Sequence, residues 1–584
     1  MPGSRRRAVL LLVTSILGAV AVLAGVLAWQ AWRVSGALQG AVDDGQALRA
    51  SVETGTGEGV DDALDRLQRS SERAAELSSG PLWRIATWLP VVGDDAAGVR
   101  SAAAVIADLS SEDGLAPLIR TADDLDRLAP RDGRVDVEAV ESLNRPVVQA
   151  AEALAEARAI LEEEDPSGFV QRFRGPFRDL QEQVYDGAAT LESAAVATEI
   201  LPEALGADGP RSYLLVFQNN AELRATGGLP GAMAVVRAED GQLTLGRQAS
   251  ASSFGERSSP VLPLSTGERK IWGNIVGTYA QNANFSPDWP RAADLLRARW
   301  EETYPERFDG IVTLDTVAVS YLLGVTGPVQ VAGYDISSES AVDVLLNQVY
   351  LDIADPSAQD ALFQQVASAV FDQFRSGRVD RPRDLLSALR TATDEGRLFV
   401  NFVDDGEQAQ IADRRIAGAT SDSDGVSDRF DVTLLDGTGS KMSYYVRYGV
   451  RARAVSCAGD VGRYEVSATV RSDAPQDAAG LPRYITGGGE FGVPAGTAFT
   501  QVRIFTPTGG RVTAMTVNGS KIDVLVQQLG SRSTASGSLF LEPGDVQDVE
   551  WQVEMPAGAS SYPVRVTPGL EDEDESGSLR AACG

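Results

Sequence analysis

Residues 217–228 read FQNNAELRATGG. Gln218, Asn219 and Asn220 each both donate and accept hydrogen bonds, Glu222 is an anion and Arg224 is a permanent fork of donors. Thr226-Gly227-Gly228 adds a hydroxyl and backbone N–H groups that a ligand can approach closely. That set suits an oxyanion such as phosphate, or a sugar. It equally suits a polar plug, in which the amides and Arg224 satisfy buried backbone at a sheet edge. A second cluster, AQNANFSPDWP over 280–290, echoes the first with Gln281, Asn282, Asn284 and Asp288. Asp288 in the first turn of a helix stabilises the helix dipole without any further role. As a magnesium ligand it would need other hard oxygens, for which Glu222, Asp309 and Asp315 are the supply within these motifs. The predicted pocket is therefore Arg224 with Gln218, Asn219, Asn220, Glu222, Thr226, Gly227 and Gly228, facing Asn282, Asn284 and Asp288.

Composition limits the chemistry open to these residues. The 584-residue chain has no histidine, which removes Ser-His-Asp and Cys-His catalysis and every His-ligated metal site. Two cysteines rule out a zinc site built from four thiolates. The balance of 52 basic against 82 acidic side chains, net −30, argues against nucleic acid as a partner, which requires a cationic footprint. It also disfavours a broad electrostatic grip on an anionic membrane. With 43% hydrophobic residues the chain can nevertheless bury real cores, and its length implies several domains.

The elements that must position the clusters follow from hydrophobic spacing. FQNNAELRATGG opens at the end of a short apolar strand, Leu214–Phe217, where open α/β sheets place ligand sites. Gly231–Val236 and Gln242–Gly246 flank EDG (239–241), a hairpin signal. SPDWPRAADLLRARWEETY (286–304) reads as a helix with Ser286 as N-cap, FDGIVTLD (308–315) as a buried strand, and TVAVSYLLGVTG (316–327) as a helix capped by Asp315 and stopped by glycine. PVQV (328–331) returns as a strand, and Ser338–Tyr350 and Gln359–Phe374 add amphipathic helices. Alternating strands and helices predict a central α/β domain over 205–412. After a polar linker, 413–425, short alternating segments such as SYYVRYGVRARAV (443–455) predict a β-sandwich over 426–584, ending in an acidic tail.

Upstream, residues 36–204 carry helical spacing, as in Val60, Leu64, Leu67, Ser71 and Ala74, and predict a helical stalk or bundle. One stretch there stands apart: PLWRIATWLPVVG (81–93) is dense in tryptophan and aliphatic residues. It reads either as an element buried in the bundle or as a segment lying in the outer leaflet. Ahead of the bundle, Ala8–Trp29 is uncharged and, at ~1.5 Å per residue, long enough for a hydrocarbon core of ~30 Å. Arg5, Arg6 and Arg7 place the basic tail, residues 1–7, in the cytoplasm and the bulk outside the cell. The expected localisation is the cell membrane, single-pass. A cleaved signal peptide is the alternative. In that oxidising-compatible place Cys457 and Cys583 are expected to form a disulfide, with a reactive thiol pair as the second reading.

FQNNAELRATGG, NANFSPDWP and FDGIVTLD…LLGVTGPVQV, with WRIATWLPVVG and GSKMSYYVRYGV (439–450), resemble a family of bacterial membrane-anchored proteins, mostly from high-GC Gram-positive bacteria, filed as a domain of unknown function. The order of strand, polar loop with arginine, hairpin, Asn-rich loop, and DG-strand, helix and GPV-strand is also similar to the LytR-CpsA-Psr enzymes. That resemblance implies an extracytoplasmic, membrane-anchored transferase moving glycopolymers from polyprenyl pyrophosphate onto peptidoglycan. It casts Arg224 as a pyrophosphate-gripping arginine and Asn282 as the asparagine of the second loop. The chain departs from the pattern at two places. Asn220 or Glu222 stands near the expected magnesium-holding aspartate, and Gln359, Asp360 and Gln364 stand in the region of an Arg-Arg-Gln cluster. A pyrophosphate short of two cations would lie partly unpaired. The expectation is thus a multidomain α+β protein: N-terminal transmembrane helix, helical stalk or bundle, central LytR-CpsA-Psr-like α/β domain and C-terminal β-sandwich. It would bind a cell-wall glycan, phosphosugar or lipid-linked precursor in envelope assembly without catalysis and without a cofactor. The alternative is a magnesium-dependent polyprenyl-pyrophosphate glycopolymer phosphotransferase.

Overall fold

The structure, a computed structural model, describes residues 26, 29–51, 59–89, 92–121, 127–376, 382–422, 424–571 and 578–583. Contacts divide the chain into two units, Met1–Leu128 with Asp136–Pro202, and Ala129–Val135 with Glu203–Gly584. The chain is a mixed α+β protein with helices first and sheets after. The expected span, Ala8–Trp29, lies outside the described residues except for Val26 and Trp29. Among the described residues no helix is long and apolar enough to cross a membrane.

The first unit is helical because small and branched residues recur at three and four. Residues 29–51, Val60–Ser79, Gly93–Leu109 and Val137–Glu162 are helices, followed by the long Gln171–Ala204. Asp136 caps the helix Val137–Glu162 by accepting from Ala139 N at 3.0 Å. Leu154, Ala157 and Leu161 bury against Phe169, Phe177 and Val184 in one core. Of the stretch 81–93, Trp83 is buried and donates from Nε1 to Ala96 O at 2.8 Å, whereas Trp88 is 88% exposed.

In the second unit a five-stranded mixed sheet has the order β3-β2-β1-β4-β7. Its strands are β1 (Arg211–Arg224), β2 (Gly227–Glu239), β3 (Gln242–Ser250), β4 (Gly310–Asp315) and β7 (Leu398–Phe402); a small hairpin, β5 (Val329–Val331) and β6 (Tyr334–Ile336), stands apart. Only β1 and β4 run parallel within that sheet. Asp240 and Gly241 take positive φ between β2 and β3, as an Asp-Gly hairpin requires. The helix Thr316–Thr326 is capped by Asp315, which accepts from Ala318 N at 2.8 Å, and Gly327 ends it. Ser286 does not cap the helix after the Asn-rich segment. That helix runs Trp289–Thr303 with Asp288 at the N-cap position, because Pro290 suits its first turn and Ser286 Oγ accepts from Asp288 N instead.

Two further sheets form the sandwich. One has the order β13-β12-β16-β10-β9: β9 (Val446–Ala458), β10 (Val461–Ser472), β12 (Arg511–Val517), β13 (Ser520–Ile522) and β16 (Val546–Pro556). The other has the order β14-β15-β11-β8-β17-β18: β8 (Phe430–Asp436), β11 (Ala498–Phe505), β14 (Gln527–Leu529), β15 (Arg532–Leu541), β17 (Ser561–Val566) and β18 (Ser578–Arg580). Val446, Tyr448 and Val450 point into the shared core with Trp551 and Phe430, as strand alternation dictates. Cys457 and Cys583 are disulfide-bonded, tying the chain end to β9. Over 413–422 the chain packs closely, with Ala417 fully buried and Thr420 bound to Asp288.

Candidate functional site

The stretch 217–228 is not a loop. β1 runs through it to Arg224, Ala225 and Thr226 make the turn, and β2 begins at Gly227, with Arg224 paired to Gly227. A register shift lies between Asn219 and Leu223. The strand extends past the apolar run because it leaves one core and enters another. Leu214 and Val216 pack with Trp289 and Trp300, whereas Ala221 and Leu223 pack with Phe430, Val432 and Met442 of the sandwich. Both faces are covered there, so hydrophobic alternation gives way to polar groups that must satisfy one another.

They do so in two networks. In the first, Gln218 Nε2 donates to Thr313 Oγ1 at 2.8 Å, and Gln218 Oε1 accepts from Thr226 Oγ1, Gly228 N and Asn284 Nδ2 at 3.0, 3.1 and 3.0 Å. Asn284 Nδ2 also faces Thr226 Oγ1 at 2.9 Å and Gly228 O at 2.8 Å, locking the Asn-rich segment to the hairpin tip. In the second, Arg224 Nη2 donates to Glu222 Oε1 at 2.6 Å and Nη1 to Leu223 O at 2.9 Å, while its guanidinium lies 4.9 Å from the Phe285 ring centre. Arg224 Nε has no acceptor among the described residues. Glu222 Oε2 accepts from Lys441 Nζ, which comes from the segment between β8 and β9. Burial alone would raise the Glu222 carboxyl, but Lys441 and then Arg224 hold it below its ordinary value. Burial would likewise lower the Lys441 ammonium, and the Glu222 carboxylate holds it above its ordinary value. Nearby, burial and then Glu222 push the Asp436 carboxyl up. Arg224 is thus an internal ion-pair partner.

Asn220 turns elsewhere: its Nδ2 donates to Asp315 Oδ2 at 2.8 Å, its Oδ1 accepts from Thr316 N at 3.3 Å, and Asp315 also pairs with Arg397 Nη1 at 3.0 Å. Asn282 Nδ2 donates to Ile275 O at 3.4 Å, and its backbone N to Tyr279 O at 3.2 Å. Asp288 accepts from Thr420 N at 3.0 Å. Asp309 accepts from Ser212 N at 2.7 Å. The carboxylates considered as magnesium ligands therefore stand in separate places. Among the described residues no group of three or more His, Cys, Asp or Glu is placed to hold a metal ion.

The open space lies on the other side of β1. A cavity of about 320 Å3 forms between the sheet face carrying Phe217 and Asn219, the start of Thr316–Thr326, and the helix Pro356–Arg375. Leu345, Val319, Phe363, Val366, Ala367 and Val370 make much of its wall. Asn219, Ser250, Ser252, Gln281, Gln359 and Gln364 give it neutral polar groups, with Asp315 and Asp360 as carboxylates and Tyr350, Tyr484 and Lys441 at one side. Asn219 Nδ2 donates to Tyr350 Oη, and Tyr350 stacks on Tyr484 with ring centres 5.6 Å apart. Lys441 is the one cation in this lining among the described residues, and Glu222 holds it. Of the predicted pocket, then, Gln218 and Asn219 reach the cavity; Asn220, Glu222, Arg224, Thr226, Gly227, Gly228 and Asn284 build the strut beside it, and Asn282 and Asp288 lie apart from its wall.

Residues 208–350 match the model of a family described as protein of unknown function (DUF4012). The matched span takes in β1, the hairpin, the Asn-rich segment, β4 and Thr316–Thr326, and ends at Tyr350 on the cavity wall. Comparison with curated proteins gives no match. The sequence reading missed Tyr350, Tyr484 and Lys441. For Lys441, the signal was an unpartnered cation in GSKMSYY on an acidic chain.

Proposed function

We propose that this is a membrane-anchored, extracytoplasmic envelope protein whose cavity binds a lipid-linked glycan precursor or a closely related amphiphile, without catalysing its transfer. The observation that carries the reading is the lining itself: a largely apolar wall for a hydrocarbon portion, joined to amides, hydroxyls and carboxylates of the kind that meet sugar hydroxyls. An anionic diphosphate fits it poorly. Lys441 already has a carboxylate, Arg397 is paired with Asp315, and Arg224 is paired with Glu222. Gln359 and Asp360 stand on the cavity wall in the region where the LytR-CpsA-Psr pattern calls for arginines. A LytR-CpsA-Psr-like ancestry for the α/β part belongs to this proposal, as does the anchor at Ala8–Trp29. On this proposal the ancestral chemistry is lost and the amphiphile site is kept.

The test is a thermal melt of the detergent-extracted full chain with polyprenyl phosphate, with a polyprenyl-linked disaccharide, and with the free disaccharide. The lipid-linked sugar should raise the melting point most, and Ala367→Trp, which fills the cavity, should remove the shift. Equal shifts in the wild type and Ala367→Trp would overturn the assignment.

A further inference from the structure

The surface of the helical unit carries a feature the cavity does not use. In Pro81–Ala86 and the turn after it, Trp83 and Ala86 face inward, while Leu82, Ile85 and Leu89, spaced three and four apart, are exposed together with Trp88. Gln30 Nε2 donates to Leu77 O at 3.1 Å and Val34 shares a small core with Trp83, so the start of the 29–51 helix lies at the same end. There Trp29 is 56% and Trp32 74% exposed. Arg33 and, progressively farther along the two antiparallel helices, Arg73, Arg69 and Arg66 line a groove of about 770 Å3; Asp44 is its one carboxylate among the described residues and pairs with Arg66 at 3.8 Å. Arg33 sits 5.0 Å over the Trp29 ring, and Arg84 is exposed next to the apolar face. On a chain of net −30 the groove lining holds four arginines against one carboxylate among the described residues.

We propose that this end of the helical unit rests in the headgroup layer of a bilayer containing anionic lipid. The apolar side chains enter the acyl boundary and the arginines take lipid phosphates. Contiguous exposed apolar surface marks an interaction site, and the position of the patch in the chain selects the occupant. Trp29 closes the uncharged run Ala8–Trp29, so the patch begins where the expected span ends; the inference rests on the anchor reading in that respect. Tryptophan favours headgroup depth, and arginine stems lie along apolar surface with their charge at the phosphates.

The experiment reconstitutes the full chain in phosphatidylcholine vesicles, with and without phosphatidylglycerol, in which the acyl chains are brominated, and measures tryptophan quenching. Trp88→Phe should remove about a third of the quenching, its share among the exposed Trp29, Trp32 and Trp88. Leu82→Ser with Ile85→Ser and Leu89→Ser should remove the same share. Changing Arg66, Arg69 and Arg73 to Gln should abolish the dependence on phosphatidylglycerol. Quenching unchanged by Trp88→Phe, in a chain that alkaline carbonate does not extract, would overturn the proposal while leaving the anchor intact. Extraction by carbonate with the Trp88 share present beforehand would sink the anchor and support the patch. A concentration-dependent dimer that shields Trp88 from brominated lipid would overturn it in favour of a second copy.

Discussion

Glu222→Gln removes one charge and leaves two buried cations without their carboxylate. Arg224 and Lys441 are each 4% exposed, so neither can turn to water without opening the junction between the central sheet and the sandwich. Removing one partner of a buried ion pair costs about 3–5 kcal/mol, because the remaining charge stays desolvated. Here two charges are stranded, so the upper part of that range applies. Lys441→Met leaves the Arg224–Glu222 bond at 2.6 Å and should cost less. Replacing all three by Met, Leu and Met should restore much of the loss, since well-packed apolar groups replace buried ions at little cost. The assay is urea unfolding of the full chain in detergent, comparing midpoints at unchanged slope. Acid adds a second readout. The folded Glu222 carboxyl titrates below its ordinary 4.5, so its contribution is present above that pH and is lost as pH falls through the folded value. The gap between wild type and Glu222→Gln should therefore be constant near neutrality and shrink in acid. A gap under about 1 kcal/mol at neutral pH, or one that does not narrow in acid, would refute the strut.

Asn284→Ala strips three contacts from one amide and takes the side-chain donor from Gly228 O, while Gln218 keeps Thr226 and Gly228 N; a loss of about 1–3 kcal/mol and faster amide exchange at Gly228 are expected. Cys457→Ser opens a disulfide spanning 126 residues and should cost about 2–5 kcal/mol, read as an earlier melt of the sandwich, with one free thiol after denaturation. Asp431, held below its ordinary value against burial by Arg565, Arg532 and Arg429, should act like Glu222: Asp431→Asn should destabilise at neutral pH, with the difference lost only in strong acid. Protease added to intact wall-stripped cells should remove everything after about residue 35, as an anchor at Ala8–Trp29 requires; intact protein released to the medium would contradict it.

Much of the architecture was legible where one principle dominates. Asp315 and Gly327 mark the ends of a helix, Asp240-Gly241 marks a hairpin, and Val446, Tyr448 and Val450 alternate into a core. FQNNAELR defeated the same logic. Ala221 and Leu223 alternate with Glu222 and Arg224, but four residues broken off by a register shift after the run Gln218-Asn219-Asn220 are too short a pattern to mark a strand, and the polar residues resemble a loop. Glu222 is close enough in sequence to be weighed as a partner for Arg224, but the second cation, Lys441, lies 219 residues away and only the fold brings it there. The cavity was hidden for the opposite reason. Val366, Val370 and Leu345 have the spacing and type of ordinary core residues, and nothing in the sequence distinguishes a wall around a space from a wall around a side chain. Trp83 lies inside the helix Pro81–Ala86 and is buried in the bundle, as the first reading of that stretch expects, whereas Trp88 stands in the turn after the helix and is exposed.

The amphiphile proposal stands or falls on the cavity, and native mass spectrometry of the chain purified in detergent from the cells that produce it tests it most directly. The wild type should carry an adduct that fragments to a long hydrocarbon and a sugar-containing head, and Ala367→Trp prepared in parallel should emerge without it. A wild type free of any amphiphile, or the same adduct on both proteins, would contradict the claim.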